Sequence, residues 1–173
     1  WAICGENNVH LHYMSTYSQP VCEFVYRVSS LEKVVDGDTI DVTIDLGFDV
    51  VLANQKVRFN GIDTPESRTT DKVEKVFGLC SKDYVKHFVE KCENYVIIRT
   101  VLSDSTEKFG RILGDILDPK NMTKSLNQAM VEEGLAVKYL GENKALVADA
   151  HLKNRKRLID SGAVKLTYKE AGL

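Results

Sequence analysis

The chain has 173 residues, 43% hydrophobic and 28% charged, with a net charge of −2. That length can bury a core without disulfide staples, and no apolar run approaches the ~18 residues of a membrane span. The charge balance also lacks the overall basic surplus that usually marks a binder of phosphate backbones, but the charge is uneven: from Lys138 onward 8 Lys/Arg stand against 4 Asp/Glu, and the first 137 residues hold 15 against 21. The basic end reads equally well as a solvated helix.

Residues 1–24 carry no cationic stretch followed by an apolar one, so they do not read as a signal peptide. They are expected to be poorly ordered, with Met14 a candidate start. His10 and His12 form an HxH with no third ligand nearby. A strand is expected from Tyr26 to Val35. Ile40, Val42, Ile44 and Leu46 alternate with Asp41, Thr43 and Asp45, the period of a strand with one buried face. After a Leu46-Gly47-Phe48-Asp49 turn, a second strand from Val50 to Phe59 completes a hairpin. It sets Val57 and Phe59 on one face and Arg58 on the other.

Ser67 to Lys75 is hydrophilic and reads as a mobile loop. Val73, Val76, Phe77, Cys80, Tyr84 and Phe88 then recur at helical spacing. Tyr95 to Leu102 is β-rich, Ser103 to Gly110 a polar loop, and Arg111 to Leu117 the partner strand. A helix from Thr123 to Glu133 stops at Gly134. Another runs from Asn143 to Asp160 and ends at Ser161-Gly162, with Ala145, Ala148, Leu152 and Ile159 as its inner stripe. The last eleven residues are weakly specified. Five strands and three helices without βαβ alternation indicate an α+β chain.

The cysteines, Cys4, Cys22, Cys80 and Cys92, match no zinc spacing. Cys80 and Cys92 lie twelve apart on one expected helix, about 18 Å at ~1.5 Å per residue, too far to pair. Free thiols favour a reducing, intracellular setting; a Cys4–Cys22 bridge stays open.

Three segments carry chemistry: Asp36-Gly37-Asp38-Thr39, Arg58-Phe59-Asn60-Gly61-Ile62-Asp63-Thr64-Pro65-Glu66, and Lys108-Phe109-Gly110-Arg111. They supply hard oxygen ligands, a spare carboxylate and two guanidinium groups, the set needed to cleave a phosphodiester beside a divalent cation. Asp36-x-Asp38 is not an EF-hand loop, because Ile40 and Asp41 stand where that motif needs other residues. Taken singly, Asp38 and Asp63 also suit turns and caps, Glu66 an exposed surface, and Arg58 or Arg111 a structural ion pair.

The segments VVDGDTI, VRFNGIDTPE and EKFGRILGDI, in that order, resemble the staphylococcal nuclease (thermonuclease) family over roughly Val25 to Asp160. The resemblance implies a five-stranded OB-type barrel carrying helices, residues 1–24 as an extension and 161–173 as a tail. It also implies a Ca²⁺-dependent monomeric phosphodiesterase acting on DNA and RNA with little sequence choice and leaving 3′-phosphate ends. Asp38, Asp63 and the backbone oxygen of Thr64 would hold one Ca²⁺, Glu66 would activate water, and Arg58 and Arg111 would clamp the phosphate. Lys108 and Lys72 would contact the substrate backbone, and Tyr139 would stack on a base. Three departures stand out. Phe109 replaces a tyrosine of the best-known member, removing a hydroxyl able to contact a terminal phosphate. The Asp38–Arg58 hairpin is longer, and the chain after Asp160 does not match. A rival reading is a catalytically silent nucleic-acid-binding or interaction module of the same fold; another is a calcium or phosphate sensor without turnover.

Overall fold

Apolar side chains alternate along strands long enough to bend, and this closes a barrel. The computed structural model describes residues 24–100, 111–141 and 143–173. Strand β1 (Phe24–Asp36) pairs with β2 (Thr39–Gly47) along most of its length and with β5 (Ile97–Thr100) at its start. Three register shifts between β1 and β2 supply the bending that closure requires. β2 pairs antiparallel with β3 (Val50–Phe59), and β3 pairs parallel with β6 (Ile112–Leu117). β6 returns antiparallel to β5, completing the ring β1-β2-β3-β6-β5. Val28, Ile40, Val42, Ile44, Val57, Phe59, Ile98 and Ile116 fill the interior, each side chain stabilising by ~1.5–3 kcal/mol relative to exposure. The fold is α+β, an OB-type barrel with three helices among the described residues.

Two further strands, β4 (Ile62–Asp63) and β7 (Val137–Lys138), pair with each other outside the barrel. At two residues each they carry no readable period. β5 starts at Ile97 rather than Tyr95, and the rest of the expected strand (Val101 and Leu102) and the Ser103–Gly110 loop lie outside the described residues.

Helix α1 (Lys72–Lys91) starts inside the stretch expected to be a loop, because Asp71 caps it by accepting from the Val73 and Glu74 N–H groups. Its buried face is Phe77, Gly78, Ser81, Val85 and Val89, while Val76 is exposed. The stripe read from periodicity otherwise holds, with Val73, Cys80, Tyr84 and Phe88 packed against the core beside Phe77, and two small residues widen the buried face. Helix α2 (Leu126–Glu132) starts later than Thr123, at a Ser125/Gln128 capping box. Helix α3 (Lys144–Asp160) has the expected ends, but its stripe is rotated: Val147 and Leu158 are buried, whereas Ala145, Ala148 and Leu152 are exposed. Its inner positions are partly polar, with Asn154 donating to the Ala136 carbonyl at 3.1 Å. The tail is packed rather than loose, since Val164 and Ala171 are buried in the main core. Cys80 and Cys92 are free, and burial pushes both thiols up in pKa, which leaves them protonated and unreactive at neutral pH. No helix of the described residues is long and apolar enough to cross a membrane.

The β2–β3 hairpin runs past the barrel. At its tip Phe48 (φ 53°) and Asp49 (φ 60°) are left-handed. Phe48 is fully exposed, and Leu46, Val50, Val51 and Leu52 are also exposed. Among the described residues, β3 before Val57 pairs only with β2.

Buried Asn127 ties the barrel to α2. Its Oδ1 accepts from the Ile116 N–H at 3.0 Å, and its Nδ2 donates to the carbonyls of Asn60 (2.9 Å) and Gly114 (3.2 Å). Asn127→Ala leaves these buried groups unpaired and is expected to lower unfolding stability by about 2–3 kcal/mol. Urea denaturation checks this; an unchanged midpoint would refute it.

Candidate active site

The turn between β1 and β2 carries Asp38, and β3 ends beside it: the Phe59 N–H donates to the Asp38 carbonyl at 2.8 Å. Asp38 and Asp63 are only 7% and 8% exposed. Between them lies Arg58, with NH1 2.5 Å from Asp38 Oδ2 and NH2 3.4 Å from Asp63 Oδ1. The same NH2 donates to the Ile62 carbonyl at 3.2 Å. Asp38 is further held by the Thr39 hydroxyl (2.8 Å) and the Thr64 N–H (3.3 Å). Asp63 Oδ2 lies 3.0 Å from His151 Nε2 on α3. Buried carboxylates are tolerable only when charge and hydrogen bonds compensate them, and each of these groups does so.

Glu66 is exposed, on a turn seated against α1. A Cβ on Gly78 would lie 2.4 Å from the Glu66 carbonyl carbon and 2.6 Å from Ser67 N, so only glycine lets helix and turn approach this closely. The Glu66 N–H donates to Glu74 Oε1 at 3.2 Å, and the Ser67 N–H to Asp36 Oδ1 at 2.9 Å. One helical turn on, Ser81 backs the other loop: a Cβ on Gly37 would fall 2.7 Å from its Cβ and 3.0 Å from Thr64 Oγ1. Helix α1 therefore braces both turns at once.

Asp38, Arg58, Asp63, Thr64, Glu66, Arg111 and Tyr139 line one open cleft. Tyr139 follows β7 and donates its N–H to the Gly61 carbonyl at 2.8 Å. Lys72 does not line it; as the first residue of α1 it is exposed on a helix end rather than in a loop at the rim. Lys108 and Phe109 lie outside the described residues. The cleft adds Lys56, Asp36 and Arg68. Lys56 had a signal, standing two residues before Arg58 and so on the same strand face. Gly78 had one too, since an interior helical glycine costs ~1 kcal/mol relative to alanine. His151 and Glu74 had none, being brought here by tertiary packing.

The lining holds four carboxylates, Asp36, Asp38, Asp63 and Glu66, and four cations, Lys56, Arg58, Arg68 and Arg111. This balance is local, so the chain's net charge of −2 does not describe the site. Addition of a divalent cation would leave the cleft positive toward phosphate. Asp38, Asp63 and Thr64 could offer only oxygen to an ion, the donor chemistry that hard cations take. Among the described residues no group of three or more His, Cys, Asp or Glu is placed to hold a metal ion.

Gly78→Ala gains ~1 kcal/mol of helix propensity, but its methyl group meets immovable backbone. A net loss of about 1–3 kcal/mol is expected, read by urea denaturation. A variant as stable as the parent would mean that helix and turn are not in contact.

The family model for the staphylococcal nuclease homologue matches residues 56–158. No curated protein matches the chain. The matched span takes in the end of β3 with Arg58, the Asp63–Glu66 turn, α1, Arg111, Tyr139 and most of α3, and starts after Asp38. The chain belongs to the staphylococcal nuclease homologue family.

Proposed function

We propose that the protein is a Ca²⁺-dependent phosphodiesterase that hydrolyses DNA and RNA with little sequence choice and leaves 3′-phosphate ends. The supporting observation is that seven residues from four separate stretches of chain line a single cleft, with a balanced set of charges. In this reading Asp38, Asp63 and the Thr64 carbonyl hold the ion. When bound, the ion polarises a phosphate oxygen and offsets charge on the phosphate.

Glu66, exposed and free of the Arg58 pair, accepts a proton from the attacking water. Its position is set by backbone contacts to α1, so the side chain need not be held by its own bonds. The P–O5′ bond breaks, and the departing oxygen is protonated by solvent. Arg58 and Arg111 donate to the phosphate oxygens, where charge grows during in-line attack; fixed donors of this kind contribute ~3–4 kcal/mol each. Tyr139 offers a ring face at the rim, which suits stacking without base choice. Lys56 and Arg68 add charge along the path of the backbone.

Cleavage of plasmid and of a fluorescent single-stranded oligonucleotide, with Ca²⁺ and with chelator, tests the proposal. Cutting should require Ca²⁺ and fall about 10²–10⁴-fold in Glu66→Gln. Products bearing 5′-phosphates would refute the mechanism. No cutting by the folded parent would favour a binding module.

A further inference from the structure

His151 reaches the site from the far end of the chain. Its Nε2 lies 3.0 Å from Asp63 Oδ2, and the side chains are 17% and 12% exposed. With Asp63 ionised, this contact needs Nε2 to carry the hydrogen and donate it. Asp63 is then approached from two sides, by His151 at Oδ2 and by Arg58 at Oδ1. Donors on both oxygens fix the plane of a carboxylate. Asp63 sits on a two-residue strand, too short to set that plane by itself.

The helix that delivers His151 is held on several sides. Val147 and Leu158 are buried, Asn154 donates to the Ala136 carbonyl, and the Arg155 guanidinium stacks 5.4 Å over the Phe77 ring. Arg155 also donates to the Ala171 carbonyl at 3.4 Å, bringing in the tail. His151 therefore sits at a defined point. It also lines a second, more apolar groove behind the Asp63–Glu66 turn, together with Val147, Ala148 and Leu152. Glu66 lines both grooves, so the turn is a thin wall with the charged cleft on one side and α3 on the other.

We propose that His151 is a positioning residue for Asp63: its Nε2–H sets the orientation in which Asp63 meets the cation, making α3 part of the site. This rests on the reading of Asp63 as a cation ligand given above. Hydrogen-bond partners of metal-holding carboxylates typically govern 10–100-fold in metal affinity.

The test is Ca²⁺ binding by titration calorimetry on the full chain, with metal-free thermal unfolding of each variant as a fold control. Three variants are compared with the parent. His151→Ala should weaken Ca²⁺ binding about 10–100-fold. His151→Gln keeps an amide N–H donor and should recover most of that loss. Val147→Ala, one helical turn away, loosens the same helix without touching Asp63. It should lower thermal stability and leave Ca²⁺ affinity within about twofold of the parent. Parent-like affinity in His151→Ala overturns the positioning role and leaves the metal site standing. An equal loss in Val147→Ala also overturns it, assigning the effect to helix docking. Failure of the parent itself to bind Ca²⁺ overturns the cation reading and this inference together.

Discussion

One guanidinium between two buried carboxylates holds the candidate site together. Asp38 belongs to the β1–β2 turn, Arg58 to the end of β3, and Asp63 to β4. Without Arg58 the two acids would be like charges taken out of water a short distance apart, and removing one partner of a buried pair typically costs 3–5 kcal/mol. The barrel is thus pinned at the rim where its strands end. The pairing gives both buried acids an opposite charge within the fold, so folding itself does not call for a cation.

Helix α1 supplies rigidity that two surface turns cannot generate alone. Gly78 and Ser81 lie three residues apart, hence on one face of the helix, and they touch the Glu66–Ser67 and Gly37 backbones respectively. Sites carried on loops lose precision unless a regular element stands behind them. Here the element meets main chain rather than side chain, so Glu66 keeps its freedom while its Cα does not. Asn127 performs the matching task on the opposite side, linking α2 to the Asn60 carbonyl at the start of the same long turn.

Strand β3 and the end of α3 were legible to the residue, because the Leu46–Asp49 turn and Ser161-Gly162 are strong local signals, while Asn143 caps α3 rather than opening it. Asp38, Arg58, Asp63, Glu66 and Arg111, singled out by spacing and family resemblance, line one cleft. Faces of helices were legible only in part: most of the α1 stripe packs on the core, whereas Ala145, Ala148 and Leu152 of α3 are exposed. The inner side of α3 carries His151 and Asn154, each satisfied by a distant acceptor, so hydrophobicity alone rotates the stripe. Similarly, Gly78 and Ser81 sit on the buried face of α1 because they allow close approach, not because they are apolar. Strands β4 and β7 escaped notice because two residues have no period. Net charge says nothing of the cleft, because it averages the whole surface while the cleft has its own balance.

The hairpin that overshoots the barrel has a consequence for handling the protein in solution. Its outer strand offers unpaired backbone along Val50–Gln55 among the described residues, next to exposed Val50, Val51, Leu52 and Phe48. Such an edge is a template for intermolecular sheet growth. Two features oppose it. Asn54 is left-handed (φ 55°) and bulges the strand, and Asp45 and Asp49 put negative charge at the tip. That charge is the weaker guard, because Asp45 is already paired with Arg27 at 2.9 Å and the chain as a whole is nearly neutral close to its isoelectric point of about 6.1. Colloidal stability should therefore be lowest in mildly acidic buffers, with this hairpin as the point where self-association begins.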